Sequence, residues 1–190
     1  DLEKSKLNYD LHNEYKINYL KKLDNTISKY RTNSQKSVRK DAIVYVETLV
    51  SSDKEFFKGL SETEKRRFFV ESYKYLQDKV GSNNVIASTV HMDEATPHMH
   101  FCFVPINSDG SLSAKKMINR NFLREIQDEF PKHLKNKGFN IERGIENTEI
   151  KKRHLEPLEF KKAKLKQEEY ELDEKEKYNK ERAESICSGR

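Results

Sequence analysis

The chain of 190 residues carries 37 basic and 32 acidic side chains, a formal net charge of +5 and only 34% hydrophobic residues. This length allows one domain with an appended element but not two full domains, and the mild positive charge permits a polyanionic partner without indicating one. No run approaches the roughly eighteen apolar residues that would cross a bilayer and no secretory pattern opens the chain, so we expect a cytoplasmic protein. Free thiols are then expected at Cys102 and Cys187.

The first elements of the chain are predicted to be a helix and a strand. Four apolar residues at helical spacing predict an amphipathic helix from Glu14 to Ser28, which the polar stretch from Lys29 to Lys40 ends. The apolar and β-branched segment from Ala42 to Val50 then predicts a mostly buried strand.

A long helix and a hairpin follow. Ser61 and Glu64 form a capping-box signature, and Gly81 is placed to end the helix that they begin. Val85 to His91 and His98 to Pro105 are two strand candidates joined by a short polar loop, which predicts an antiparallel hairpin.

The last part of the chain is predicted to be helical. Asn119 to Lys137 indicates a helix that Pro131 kinks or splits and Gly138 closes. The composition then shifts to Lys and Glu, so we expect residues 1–146 to form the domain and residues 147–190 a charged helical extension, which could serve as a dimerisation element. The order of elements predicts an α+β fold, an antiparallel sheet flanked by helices.

Three of the six histidines lie within the ten residues from His91 to His100. Alternate residues of a strand share a face, so His98 and His100 point the same way. If the hairpin is symmetric about its loop, His91 pairs with His98 and Thr89 with His100, and the three imidazoles converge. The opposite face would then carry the pairs Val90 with Met99, Ser88 with Phe101, and Ile86 with Phe103.

Three converging imidazoles suit a catalytic divalent metal such as manganese, zinc, iron or nickel, with magnesium less favoured by nitrogen ligands. Such a metal could act as a Lewis acid on a phosphoryl oxygen, and Asp93 or Glu94 could orient a ring N–H. The alternative interpretation is a set of surface histidines that bind no metal.

The pattern H-x-D-E-x-T-P-H-x-H resembles the third motif of the Mob/Pre plasmid mobilisation relaxases, a family of HUH endonucleases. Three further stretches are similar to that family, in its order: Leu7-Asn8-Tyr9-Asp10-Leu11, Arg39-Lys40-Asp41-Ala42, and Leu112-Ser113-Ala114-Lys115-Lys116-Met117.

This resemblance implies a five-stranded antiparallel sheet flanked by helices, with His91, His98 and His100 as ligands of a divalent metal, Mn²⁺ being favoured, and Glu94 as the nearby acidic residue. The implied reaction is strand-specific transesterification at a plasmid transfer origin, presented as single-stranded or hairpin DNA. A side chain attacks phosphorus, the 3′-hydroxyl leaves, and the enzyme stays joined to the 5′ end.

Relatives begin with a further segment that carries an early strand and, in some members, a histidine proposed as nucleophile. This chain begins after that segment, so we expect it to bind DNA better than it cuts. Tyr9 is the one hydroxyl within the motifs that could substitute as a catalytic nucleophile, although packing at a sheet edge is the alternative role.

Four cations in the family-like stretches are candidate DNA-binding residues because phosphate contacts position a strand: Arg39, Lys40, Lys115 and Lys116.

Three other functions stay open. A rolling-circle replication initiator would share the metal site and use a tyrosine on a later helix, such as Tyr170 or Tyr178. A small-molecule metallohydrolase would use the histidines to activate water, and a binding module would hold metal and DNA without cutting.

Overall fold

The structure is a computed structural model, and it describes residues 4–34 and 37–143. They form an α+β fold built on a four-stranded antiparallel sheet of order β1-β3-β4-β2, whereas the resemblance implied five strands. The strands are β1 (Tyr9–Asp10), β2 (Val46–Ser51), β3 (Val85–His91) and β4 (His98–Phe103). The charged extension predicted for residues 147–190, with Tyr170, Tyr178 and Cys187, lies outside the described residues.

In the part of the chain that the structure describes, the sheet is accompanied by five α-helices and two short 3₁₀ turns. The helices are α1 (Tyr19–Ser34), α2 (Lys54–Lys58), α3 (Glu62–Val80), α4 (Ala114–Met117) and α5 (Arg120–Asn136). The 3₁₀ turns are Lys4–Leu7 and Ser82–Asn84. Among the described residues, no helix combines the length and apolar character needed to cross a membrane.

The predicted capping box of α3 is confirmed. The Ser61 hydroxyl accepts from the Glu64 N–H while the Glu64 carboxylate accepts from the Ser61 N–H, which satisfies two otherwise unpaired backbone donors. The helix ends at Gly81, whose φ of 88° is a conformation that glycine adopts without a Cβ clash.

The predicted bounds of α1 were wrong at both ends. The helix begins at Tyr19 rather than Glu14 because the Asn18 side chain accepts from the Lys21 N–H and caps it. It runs on past Ser28 to Ser34, and Tyr30 in this last part is buried, with its hydroxyl accepting from the Leu112 N–H at 3.3 Å. The polar stretch that begins at Lys29 therefore did not end the helix, because the turn that contains Tyr30 still packs against the rest of the described residues.

The two faces of the sheet are covered differently. Helices α3 and α5 pack on one face, the core face, where Phe68, Phe101 and Leu134 have no exposed surface. Helix α5 stays continuous through Pro131. On the other face, the histidine face, Leu23 and Ile27 of α1 pack against a small cluster of buried residues: Ile86, Ala87, Cys102 and Val104.

The predicted hairpin register is confirmed near the loop and wrong at the far end. His91 pairs with His98 and Thr89 with His100, as expected. A bulge between Val85 and Ala87 then makes Val85, not Ile86, the partner of Phe103. Ile86 packs instead in the cluster under α1, so the bulge supplies an apolar residue to each face.

Candidate metal centre on the histidine face

Three imidazoles meet at the loop end of the hairpin. The ring centroids of His91 and His98 are 5.2 Å apart, those of His91 and His100 5.2 Å, and those of His98 and His100 5.0 Å. All three side chains are partly exposed on the histidine face, while Met99 and Phe101 between and beside them are buried on the core face. Burial of the core face therefore fixes which way the imidazoles point.

Two of the imidazoles have their Nδ1 atoms held by acceptors. His98 Nδ1 lies 3.0 Å from the Thr96 carbonyl oxygen, and His100 Nδ1 is hydrogen-bonded to the Glu47 carboxylate. Because a carbonyl and a carboxylate only accept, each Nδ1 carries the proton and each Nε2 keeps a free lone pair. This is the tautomer that a metal-binding histidine needs.

The third imidazole is held by the start of the chain. Asn8 Oδ1 accepts from the Met92 N–H at 2.8 Å, which places the Asn8 amide nitrogen 3.5 Å from His91 Nδ1. Asp93 Oδ1 lies 3.7 Å from the same Nδ1, and Asp93 Oδ2 accepts from the Ser5 hydroxyl at 3.1 Å. The segment before β1 thus fixes the end of β3 at His91 and the loop that follows it.

Glu94 lies at the edge of the imidazole cluster. Its Oε1 is 4.0 Å from His98 Nε2, and one ligand atom each of His91, Glu94 and His98 lie within 4.8 Å of one another. The side chain is 64% exposed. The geometry therefore allows Glu94 to act as a further ligand, whereas the sequence predicted that it orients a ring N–H and the resemblance implied an acidic residue near the metal.

Tyr9 lies away from the histidines. It pairs with Val90 and so shares the core face, where the Arg66 guanidinium lies 4.3 Å from the centre of its ring. Its hydroxyl is buried without a hydrogen-bond partner among the described residues, and burial raises its pKa while Arg66 opposes that rise. The structure does not bring this hydroxyl to the candidate metal centre.

The four predicted DNA-binding cations are exposed but do not surround the histidines. Arg39 forms an ion pair with Asp41 at 2.8 Å in the turn before β2, close to Lys40. Lys115 and Lys116 lie on α4, which follows the end of β4 that is remote from the hairpin loop.

Lys116 is itself paired. Its ammonium donates to Asp109 and holds the pKa of that carboxyl well below its usual range. Lys116 also lines a groove of about 1190 Å³ at this end of the sheet, together with Lys29, Lys79 and Asn84. The residues lining this groove do not include the three histidines, so the groove is separate from the candidate metal centre.

Sequence reasoning missed two residues that hold the imidazoles, Glu47 and Asn8. Glu47 was visible as a lone charge in the apolar strand segment, and strand alternation puts it on the same face as Leu49. Its contact with His100 depends on the register of β2 against β4, across 53 positions of sequence, which the pattern did not give. Asn8 lay inside a family-like stretch but had no assigned role.

Asp10 organises the histidine face beside the imidazoles. Its carboxylate accepts from the N–H groups of His12, Asn13 and Ser88 and from the Tyr19 hydroxyl. Burial alone would raise the pKa of Asp10, but these hydrogen bonds outweigh it and leave the pKa below its usual value. Asp10 thereby joins β1, β3 and the start of α1.

Comparison with known proteins gives consistent matches. The sequence matches the Mob_Pre family, described as plasmid recombination enzyme, over residues 1–162. It is 42% identical over 168 residues to a plasmid recombination enzyme type 2 of Staphylococcus aureus, covering 88% of this chain and 39% of the relative. It is 40% identical over 188 residues to a plasmid recombination enzyme of a Bacillus species, covering 99% of this chain and 44% of the relative. The chain thus spans about two fifths of the length of these relatives.

The solved structures that match are relaxase domains bound to DNA. A crystal structure of the MobM relaxase domain, Mn-bound and in complex with plasmid pMV158 oriT DNA, has a TM-score of 0.73 and 36% sequence identity. The match covers 85% of this chain and 81% of that one. A second Mn-bound complex of the same domain with 23-nucleotide oriT DNA gives a TM-score of 0.74 at 35% identity, covering 87% and 84% of the two chains.

Proposed function

The chain belongs to the Mob_Pre family of plasmid recombination enzymes, and from this membership we propose that it nicks and rejoins one strand of DNA at a plasmid transfer origin. The observation that carries the proposal is the cluster of His91, His98 and His100, whose Nδ1 atoms face protein partners. The related relaxase domain crystallised with manganese and oriT DNA supports both the metal and the substrate.

A divalent ion, Mn²⁺ in the first instance, fits the donor set of this site. His98 presents an Nε2 lone pair and lies with His91 and Glu94 in a group whose ligand atoms are within 4.8 Å of one another. The His100 ring, 5.0 Å from that of His98, presents a further Nε2 lone pair. Neutral imidazoles with one carboxylate suit manganese and other transition metals, and Mg²⁺ is a weaker fit. When bound, such an ion supplies Lewis-acid polarisation of a phosphoryl oxygen.

The described residues contribute to the reaction by orienting the imidazoles and, through them, the scissile phosphate. Glu47, Thr96 and the Asn8–Asp93 pair fix the imidazoles, so a scissile phosphate would be held in one position on the histidine face. A nucleophilic side chain forms a bond to phosphorus, the bond from phosphorus to the 3′ oxygen breaks, and the nucleophile's proton ends on that oxygen. Tyr9, buried on the core face, is not assigned this role.

We also propose that the domain ends after residue 146 and that the charged extension after it serves in dimerisation. The cytoplasm is the proposed place of action, which follows from plasmid DNA as the substrate. Arg39, Lys40, Lys115 and Lys116 are proposed as phosphate contacts outside the metal centre.

The proposal is tested with labelled single-stranded pMV158 oriT DNA and Mn²⁺, followed by binding and denaturing electrophoresis. We expect binding that exceeds cleavage, cleavage or a covalent adduct only with Mn²⁺, and loss of these products in His98→Ala with binding retained. His133→Ala removes a histidine from α5, outside the cluster, and should behave as wild type.

Tyr9→Phe should leave the products unchanged, and an adduct lost in that variant would contradict our assignment. A wild-type protein that neither binds this DNA nor cuts it with Mn²⁺ would overturn the proposed function and favour a small-molecule hydrolase.

A further inference from the structure

Three large side chains on the histidine face are exposed, one of them directly beside a candidate ligand. Leu49 is 62% exposed, Tyr45 42% and Tyr19 41%. Leu23 and Ile27 of α1 cover the neighbouring part of this face, at Cys102 and Val104, and the three large side chains stay exposed. We call Tyr19, Tyr45 and Leu49 the apolar strip.

Leu49 is the direct neighbour of a candidate ligand. It pairs with His100 across β2 and β4, and directly opposed residues project from the same face with Cβ atoms about 5 Å apart. Tyr45 immediately precedes β2, four residues before Leu49, and its hydrogen bond to Cys102 places it on the same face.

The two tyrosines are fixed by their hydroxyls. The Tyr19 hydroxyl donates to Asp10 Oδ2 at 3.1 Å, and Thr89, the cross-strand partner of His100, is also hydrogen-bonded to it. The Tyr45 hydroxyl donates to Cys102, which pairs with Glu47 across the sheet. With these polar atoms engaged internally, each side chain offers a ligand its ring.

The charge of the region selects which part of a nucleotide the strip could accept. The Glu47 carboxylate lies between Tyr45 and Leu49 in sequence, on the same face, and is exposed by about half. Its negative charge disfavours a phosphate along the strip. A nucleobase carries no charge and packs well on apolar and aromatic side chains.

We propose that the apolar strip packs against the nucleobases of single-stranded DNA next to the phosphate held at the histidines. The inference rests on the proposed function, which places that phosphate. The base and the phosphate of one nucleotide are separated only by the sugar. Leu49 on β2 lies only about 4.8 Å from the strand that carries His100, so a base beside a phosphate held at the histidines reaches Leu49. The contact is independent of sequence because every base has an apolar face.

The test compares two labelled 12-nucleotide probes by fluorescence anisotropy with Mn²⁺: oligo-dT and the same backbone with abasic sugars. Wild type should bind oligo-dT more tightly than the abasic strand. Leu49→Ala and Tyr45→Ala should each weaken oligo-dT binding by about tenfold and leave abasic binding unchanged.

Matched controls separate base packing from other effects. Leu123→Ala removes an exposed leucine from α5 and should bind both probes as wild type does. Tyr45→Phe keeps the ring and should retain oligo-dT binding. The Mn²⁺ affinity, measured by calorimetry, should be the same in wild type and in Leu49→Ala.

Equal affinity of wild type for the two probes, or unchanged oligo-dT binding in Leu49→Ala, would overturn this inference alone. Wild type binding neither probe would overturn the proposed function as well. Self-association that Leu49→Ala abolishes, seen by sedimentation without DNA, would identify a second copy of the chain as the occupant and would also overturn the inference.

Discussion

His98 and His100 are distinguished from ordinary surface histidines by the acceptors that hold their Nδ1 atoms. An imidazole with a fixed Nδ1 proton presents Nε2 in one direction, so convergence does not depend on chance rotamers. His100 depends for this on one carboxylate from another strand, Glu47. His98 uses a backbone carbonyl two residues away in its own loop.

Glu47→Gln is expected to lower the affinity for Mn²⁺ by about 10- to 100-fold, because an amide is a weaker acceptor and no longer enforces the Nε2 lone pair of His100. Calorimetric titration with Mn²⁺ measures the change. Glu55→Gln, which removes an exposed carboxylate paired with Lys58, is the control and should leave the affinity unchanged. Identical Mn²⁺ affinities in Glu47→Gln and wild type would show that the contact does not position the ligand.

At the scale of elements, β1 has only two residues, and side chains add to its backbone pairing with β3. Asp10 contributes through Ser88 of β3 and through Tyr19 at the start of α1. Asn8 adds a contact to Met92 in the loop that follows His91. The shortest strand of the described residues is therefore the one that connects the histidine loop to α1.

Asp10→Asn is expected to reduce the free energy of unfolding by about 1.5–3 kcal/mol at pH 7, the range for hydrogen bonds to a charged acceptor. The folded-state pKa of Asp10 lies below its unfolded value of about 3.9, so this stabilisation is complete above about pH 5. It is lost as the pH falls through the folded-state pKa. Urea unfolding at several pH values measures both, and a difference between wild type and variant that grows on acidification would contradict the argument.

The sequence predicted those elements whose signals are local. Ser61 with Glu64 marked α3, and the alternation around His98 gave the hairpin and its two faces. The bulge at Ile86 was not predictable, because an apolar residue suits either face and α1 decides the outcome. The face of Tyr9 depends on pairing with Val90, 81 positions away, and two residues carry no periodicity from which to infer it.

For the whole molecule, the predicted phosphate contacts lie away from the candidate metal centre. Lys115 and Lys116 are beyond the far end of β4, and Arg39 and Lys40 precede β2. DNA that reached both the histidines and α4 would have to follow the length of the hairpin. Such a path would separate binding, which depends on many charges, from cleavage, which depends on one cluster.

Lys40→Gln and Lys115→Gln are each expected to reduce the slope of log affinity against log salt concentration for oriT DNA by about 0.7 to 0.9, since one phosphate contact is lost. Lys132→Gln on α5, where the lysine pairs with Glu129, is the control and should leave the slope unaltered. Fluorescence anisotropy over a series of salt concentrations provides the slopes. Equal slopes in all four proteins would remove these lysines from the DNA interface.

The histidine cluster is unusual for this sheet in that all its imidazoles come from ten consecutive residues, whereas β1 and β2 join the hairpin across much longer separations. An unfolded chain therefore keeps the same three donors close together and can bind a metal weakly before any sheet exists. Stabilisation by a ligand depends on the difference between its affinities for the folded and unfolded chains, so binding to the unfolded chain subtracts from it. Mn²⁺ should consequently raise the melting temperature by less than its calorimetric affinity for the native protein implies. In the presence of Mn²⁺, folding can also begin from an unfolded chain that already holds the ion.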